Sequence, residues 1–295
     1  MIVPWRVGSR VLPCGARPLV MGVVNVTPDS FYAGSRHADP GAAAAVALRL
    51  VAEGADIIDI GGESSRPPVY GEARVVPAAV ERQRVEPVVR AVRQQSSVAI
   101  SVDTTKAEVA QAALDAGAEI VNDISACRAD PAMAAAVARA GAAVILMHMR
   151  GTPQTMQQDT HYEDLLGEVE AFLRDRIAHS LAAGIPQECI AVDPGLGFGK
   201  SVAGNLALLA GLERFGGLGR PVVVGASRKS FIWKTLETGP EEALAGSLAA
   251  AVISVLHGAH VLRVHDVAAT RHAVRFADAV QRCALAAAGG GGEGT

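Results

Sequence analysis

The stretch Ala52-Glu53-Gly54-Ala55-Asp56-Ile57-Ile58-Asp59-Ile60-Gly61-Gly62 (AEGADIIDIGG, 52–62) holds a helix end, a glycine, a short apolar run and a polar stop. The same pattern returns as DAGAEIVNDIS (115–125), RAGAAVILMHM (139–149) and LHGAHVLRVHD (256–266). Glycine suits the position just past a helix because it takes left-handed dihedrals without steric penalty. Short, nearly continuous apolar runs suit strands buried on both faces, as in a parallel sheet.

Working outward, the pattern predicts eight strands: Leu19–Val26, Ile57–Gly61, Val98–Val102, Ile120–Asp123, Val144–Met147, Ile190–Val192, Val222–Gly225 and Val261–Val264. Helical segments fall between them at Gly41–Ala52, Ala78–Arg93, Ala107–Ala116, Ala132–Arg139, Tyr162–Ala183, Asn205–Phe215 and Glu241–Leu256, with a last one at Ala268–Leu285. Eight βα units in one chain of 295 residues point to an α/β (β/α)8 TIM barrel in a single domain. A doubly wound open sheet is the alternative, but no GxGxxG follows the first strand. Residues 1–17 are expected to form an N-terminal hairpin capping the barrel, residues 18–285 the barrel, and residues 286–295 a disordered Gly-rich tail.

Composition narrows the function. A formal net charge of −3 provides no basic field for nucleic acid, and 4% aromatic content argues against a base-stacking platform. Cys14, Cys127, Cys189 and Cys283 show no metal-finger spacing, which suits a reduced cytoplasmic protein. The arginines and prolines of the first residues make a poor signal peptide. The longest apolar region, 243–264, is interrupted by Gly246, Ser247, His257, Gly258 and His260, so no membrane association is expected.

In such a barrel the chemistry gathers at the C-terminal strand ends. Those ends carry Asn25; Asp59 with Glu63, Ser64, Ser65 and Arg66; Asp103; Asn122 and Asp123; His148; Asp193; Ser227, Arg228 and Lys229; and Arg263, His265 and Asp266. Each alone reads equally well as an ordinary strand stop. Together, carboxylates and amides suit a heterocycle with N–H donors and ring acceptors, while the cations suit phosphate. A heterocycle bearing a phosphorylated leaving group satisfies both, as would a purine or pyrimidine phosphate. Glu163, Glu168, Glu170, Arg174 and Arg176 read as a solvated helix face, and His161, His179, His257 and His260 as surface or packing residues.

The motifs NVTPDSF (25–31), GGESSRP (61–67), SVDTTKAEV (101–109), NDIS (122–125), LMHMRGTPQTMQ (146–157), DPGLGFGK (193–200), GASRKSFI (225–232), GSLAAA (246–251) and RVHD (263–266) resemble, in order, those of the dihydropteroate synthase family. The resemblance runs from about Leu19 to Val280. It implies a homodimeric transferase of folate biosynthesis, a sulfonamide target, that joins 6-hydroxymethyl-7,8-dihydropterin diphosphate to p-aminobenzoate and releases pyrophosphate. It implies a pterin pocket of Asp103, Asn122, Asp193 and Lys229 with Met147 and Phe198 as apolar walls. The same resemblance implies a pyrophosphate site of Asn25, Arg66, Arg263 and His265, with Asn25 on Mg2+. Phe31, Ser65, Arg66, Pro67 and Ser227 are implied at the p-aminobenzoate site and its loops. Lys229, Arg263, His265 and Asp103 would carry the catalysis, by a dissociative, Mg2+-assisted route.

Two departures stand out. Ala33 occupies a position where the family usually has Asp, leaving Asn25 and Asp29 to organise the cation. Ser65 and Pro68 replace a Thr and a Gly in the second loop. Two other readings stay open: a methyltransferase-type barrel that binds a folate, and a non-catalytic pterin-binding paralogue.

Overall fold

The computed structural model describes residues 2–26, 39–64 and 75–289, without the side chains of 285–289. Two short strands, β1 (Val3–Val7) and β2 (Arg10–Cys14), form an antiparallel hairpin. Eight further strands follow: β3 (Leu19–Asn25), β4 (Ile57–Gly61), β5 (Ala99–Asp103), β6 (Ile120–Asp123), β7 (Ala143–Met147), β8 (Ile190–Asp193), β9 (Val223–Val224) and β10 (Val261–Val264). Their hydrogen-bonded order is β8-β7-β6-β5-β4-β3-β10-β9, all parallel. A parallel bridge between Val192 and Val222 joins the two ends, and Val192 N donates to Pro221 O at 2.9 Å. The sheet is therefore the expected (β/α)8 TIM barrel.

Helices α1 (Pro40–Ala52), α2 (Ala78–Gln95), α3 (Ala107–Asp115), α4 (Met133–Ala140), α5 (Leu165–Ala182), α6 (Val202–Ala210), α7 (Ser230–Thr235), α8 (Ala243–Leu256) and α9 (Val267–Gly289) surround it. Local chemistry sets several starts. Asp39 caps α1 by accepting from Gly41 N at 2.9 Å, with Pro40 in the first turn. Asp164 caps Gly167 N at 3.0 Å, so α5 begins at Leu165 rather than at Tyr162.

Three expectations need correction. The helix expected at 205–215 is α6 ending at Ala210, followed by a 3-10 turn over Leu212–Leu218, because Gly211, Gly216 and Gly217 break the helical run. The short helix α7 had no counterpart in the sequence reading. Helix α9 continues to Gly289, four residues into the expected tail, since Ala286–Ala288 are strong helix formers.

The hairpin is fastened to the N-terminal end of the barrel. Trp5 is fully buried and its Nε1 donates to Cys189 O, at the foot of β8, at 3.1 Å. Arg10 donates to both oxygens of Glu119, just before β6, at 2.9 and 3.0 Å. Gly8 turns the hairpin at φ +58, where an added Cβ would lie 2.7 Å from Glu119 Oε1. Replacing Trp5 with Ala empties a large core volume and strips one donor. We expect Trp5→Ala to cost about 3–5 kcal/mol, read as a shift in the urea midpoint.

Most of the core is one continuous cluster between the helices and the barrel. A second, separate cluster joins Ile124, Met147, Met149, Met156 and Phe198, from the end of β7 and the segments that follow β6, β7 and β8. Apolar surface is thus buried at the barrel mouth as well as in its wall.

Candidate functional site

Register places the polar residues on one layer. Asn25 pairs with Gly61, Gly61 with Asp103, and Asp103 with Asn122. Side chains on neighbouring strands at paired positions share a face, so Asn25, Asp103 and Asn122 lie on the same face near the strands' C-terminal ends. Asp193 ends β8 opposite Met147.

Arg263 organises this layer. From β10 its Nε donates to Asp59 Oδ2 and its Nη2 to Asp103 Oδ2, both at 2.6 Å. Asp59 Oδ2 also accepts from Asn122 Nδ2 at 3.2 Å. One carboxylate, fully buried, therefore ties together β4, β6 and β10. Asp59 Oδ1 has no hydrogen-bond partner among the described residues. The sequence reading noted Asp59 only as a strand end. Its signal was available, since a carboxylate inside the buried run Ile57–Gly61 needs a cation or donors to be tolerated.

The electrostatics follow from this burial. Asp103 is pushed up to about 7, first by desolvation and then by Asp59, against the lowering influence of Arg263. Burial likewise raises Asp193, opposed by Lys229 and by the Gly195 N–H that donates to its Oδ1 at 2.7 Å. Lys229 is lowered to about 8 by burial, partly offset by Asp193. Burial alone would lower Arg263, but Asp59 and Asp103 hold it above its ordinary value. Perturbation of this kind, from burial and specific charge partners, is typical of functional sites.

Lys229 reaches across to the loop after β8. Its Nζ donates to Leu196 O and lies 4.5 Å from the centroid of the Phe198 ring, a cation–π distance. Gly197 allows this approach, because a Cβ there would lie 2.9 Å from Lys229 Cδ. Lys229 thus lies beside Phe198 and within reach of the charge of Asp193, and Met147 joins Phe198 in the apolar cluster.

The loop after β9 is braced by its neighbour. Arg228 is left-handed at φ +57, a conformation costing about 1–3 kcal/mol in a non-glycine residue. Its guanidinium makes two 2.8 Å bonds to Asp266, and its N–H donates to Ser247 Oγ at 2.9 Å. Next to it, Ser227 Oγ accepts from His265 N at 3.3 Å and pairs with His265 Nδ1 at 3.1 Å. Ser227, Lys229, Arg263 and His265 are thereby held in one corner. Behind Asn122, Asp123 accepts from Ser125 N and Oγ and from Cys127 N, which fixes left-handed Ala126 and Cys127.

At the entrance to the second loop, Lys106 Nζ donates to both Glu63 and Glu81, a cluster the sequence reading did not single out. His148 is buried, pushed down to about 2 by desolvation and the charge of Lys200, and packs edge-on to Phe172 at 4.8 Å. It packs there and shares a 2.9 Å hydrogen bond with Lys200 Nζ. Phe31, Ala33, Asp29, Ser65, Arg66, Pro67 and Pro68 lie outside the described residues.

Among the described residues, no three His, Cys, Asp or Glu side chains form a metal-holding group. An amide oxygen such as that of Asn25, completed by phosphate and water oxygens, makes an all-oxygen shell. Mg2+ accepts such a shell, since it favours oxygen ligands and usually keeps several waters. The donor set fits that ion.

Among the described residues no helix is long and apolar enough to cross a membrane. A family profile described as "Pterin binding enzyme" matches residues 21–265. The dihydropteroate synthase of Escherichia coli (strain K12) is 46% identical over 264 residues, 90% of this chain and 92% of that one. A structure of dihydropteroate synthase from Xanthomonas albilineans in complex with 7,8-dihydropteroate is similar with a TM-score of 0.84 and 44% identity, covering 94% of this chain and 98% of that one. The Yersinia pestis dihydropteroate synthase, in a sulfonamide drug complex, gives a TM-score of 0.88 at 40% identity, covering 95% and 99%.

Proposed function

This chain belongs to the dihydropteroate synthase family of pterin-binding enzymes, and from that premise we propose how its site performs the transfer. The dihydropterin ring binds with its 2-amino group and N3–H on the Asp193 carboxylate. Asp103 and Asn122 address the remaining ring nitrogens, Lys229 reaches a ring acceptor, and Met147 and Phe198 wall the pocket. The observation that carries this reading is the convergence of these acceptors and cations at one barrel mouth beside the separate apolar cluster.

The diphosphate extends toward Asn25, Arg263 and His265. When bound, Mg2+ held by Asn25 supplies positive charge at the leaving oxygens. The exocyclic C–O bond breaks first, its electron pair departing with pyrophosphate. Electron density from the pterin ring stabilises the methylene cation left behind. The amine of p-aminobenzoate then forms the new C–N bond and loses a proton to solvent or to the departed pyrophosphate. Its carboxylate is received beside Ser227, whose hydroxyl is already oriented by His265. No covalent protein intermediate is needed, and the protein contributes orientation and charge.

The exposed apolar residues Leu206, Leu236, Ile253 and Leu256 lie on or beside α6, α7 and α8, which pack on one another, and support a homodimer as the working assembly. Four free cysteines support work in the reducing cytoplasm.

The order of bond breaking is directly testable. Dihydropterin diphosphate and Mg2+ without p-aminobenzoate should release pyrophosphate in a rapid burst. EDTA should slow that release by about 100-fold or more, given the several kcal/mol a Lewis-acid cation contributes. Release only after p-aminobenzoate is added would indicate direct displacement, and EDTA-insensitive release would remove the metal.

A further inference from the structure

Only four of the 27 basic residues are lysine, namely Lys106, Lys200, Lys229 and Lys234, the rest being arginine. Lys200 is the most deeply placed of these, at 3% exposure, and it has no role in the chemistry above. Its Nζ bonds to Gly195 O at 2.8 Å, Phe198 O at 2.9 Å and His148 Nδ1 at 2.9 Å, with His148 O at 3.4 Å. These partners are spread along the segment 193–200 and the first residue after β7, so a single nitrogen gathers both.

The segment is wound closely around it. Gly195, Gly197 and Gly199 are all left-handed, and a Cβ on Gly195 would lie 1.9 Å from His148 O. His148 N donates to Asp193 O at 2.9 Å, fixing the first residue of the segment to the same neighbour. Three groups of the pterin pocket ride on this short piece of chain. They are the Asp193 carboxylate, the Leu196 carbonyl that receives Lys229, and the Phe198 ring that Lys229 overlies.

We propose that Lys200 is a positioning residue for the reaction, an internal post that holds segment 193–200 in the shape that aims Asp193, Phe198 and Lys229 at the pterin. The inference rests on the pterin-site reading above. Lysine suits the post because its compact head offers up to three donors in directions that two carbonyls and a ring nitrogen take up. Arginine's planar fork would not fit a three-sided enclosure of this size. Burial lowers Lys200 well below its ordinary value, opposed by Asp193. The arrangement tolerates either charge state, because a neutral amine still donates to both carbonyls and can accept from a protonated His148 Nδ1.

The test uses the full chain carrying Lys200→Met, which keeps the stem and removes the donors. Folding is checked by circular dichroism, and affinity for dihydropterin diphosphate by calorimetry. The folded variant should bind it about 10- to 100-fold more weakly and lose kcat, the cost expected when reacting groups are misplaced by about an ångström. KM for p-aminobenzoate should stay within about twofold, since that substrate is held elsewhere. A folded Lys200→Met with unaltered pterin affinity would overturn the proposal. If the variant does not fold, His148→Phe keeps the edge-on packing against Phe172 and removes one partner of the post. It should weaken pterin binding in the same direction, and unaltered affinity would again overturn the proposal. Failure of the unaltered protein to bind dihydropterin diphosphate would instead remove the pterin reading itself.

Discussion

Arg263→Met should lower unfolding free energy by about 3–5 kcal/mol and abolish turnover, because it leaves two inward carboxylates without their shared cation. Both partners are strongly engaged, at 2.6 Å from Asp59 and from Asp103. Methionine keeps much of the side-chain volume, so packing loss contributes little. The effect also carries a pH signature with a definite sign. Asp103 is already raised to about 7 in the folded chain, above its unfolded value near 4. A carboxyl of this kind binds more protons folded than unfolded between those values, so its contribution to stability is fully present below pH 4 and is lost as pH rises through 7. Without Arg263 the folded value climbs further. The variant should therefore be less destabilised, relative to the unaltered chain, at pH 5 than at pH 8, read by urea denaturation at each pH. An equal loss at both would mean that Arg263 does not serve these carboxylates.

Asp193→Asn should leave the fold intact and weaken pterin binding by about 100-fold or more, from losing charge-assisted bonds worth about 1.5–3 kcal/mol each. The geometry decides which way the amide turns. Asp193 Oδ1 accepts from Gly195 N at 2.7 Å, so the oxygen of Asn would stay there. Its NH2 would then face the ligand's own N–H donors, turning an attraction into a repulsion. Calorimetry with dihydropterin diphosphate reads the change directly. Affinity within about threefold of the unaltered protein would take Asp193 out of the pocket.

Much of the barrel was legible because the glycine-plus-apolar-run pattern marks both the end of each helix and the start of each buried strand. Strands β4, β6 and β10 fall at the expected residues. The strand β9 shrinks to Val223–Val224, and α7 spans only Ser230–Thr235. Elements this short carry too few residues for periodicity to register. The chemistry at the rim was legible as residue types, since Asp103, Asn122, Asp193, Lys229 and Arg263 each close or follow an apolar run.

What joins those residues was not legible. Asp59 meets Arg263 across 204 positions of sequence, and Lys200 meets His148 across 52. Such pairs are made by barrel closure and by the left-handed glycines of segment 193–200, not by local pattern. Asp59 resembles any strand stop until the register shows it on the inward face. Lys200 resembles any polar residue before a helix until its three partners are seen.

The most direct measurement of the central claim is product formation by the purified protein supplied with dihydropterin diphosphate, p-aminobenzoate and Mg2+. This site predicts 7,8-dihydropteroate and pyrophosphate in equal amounts. Tight binding of dihydropterin diphosphate with no dihydropteroate formed would contradict it, and would leave a pterin-binding barrel that performs no transfer.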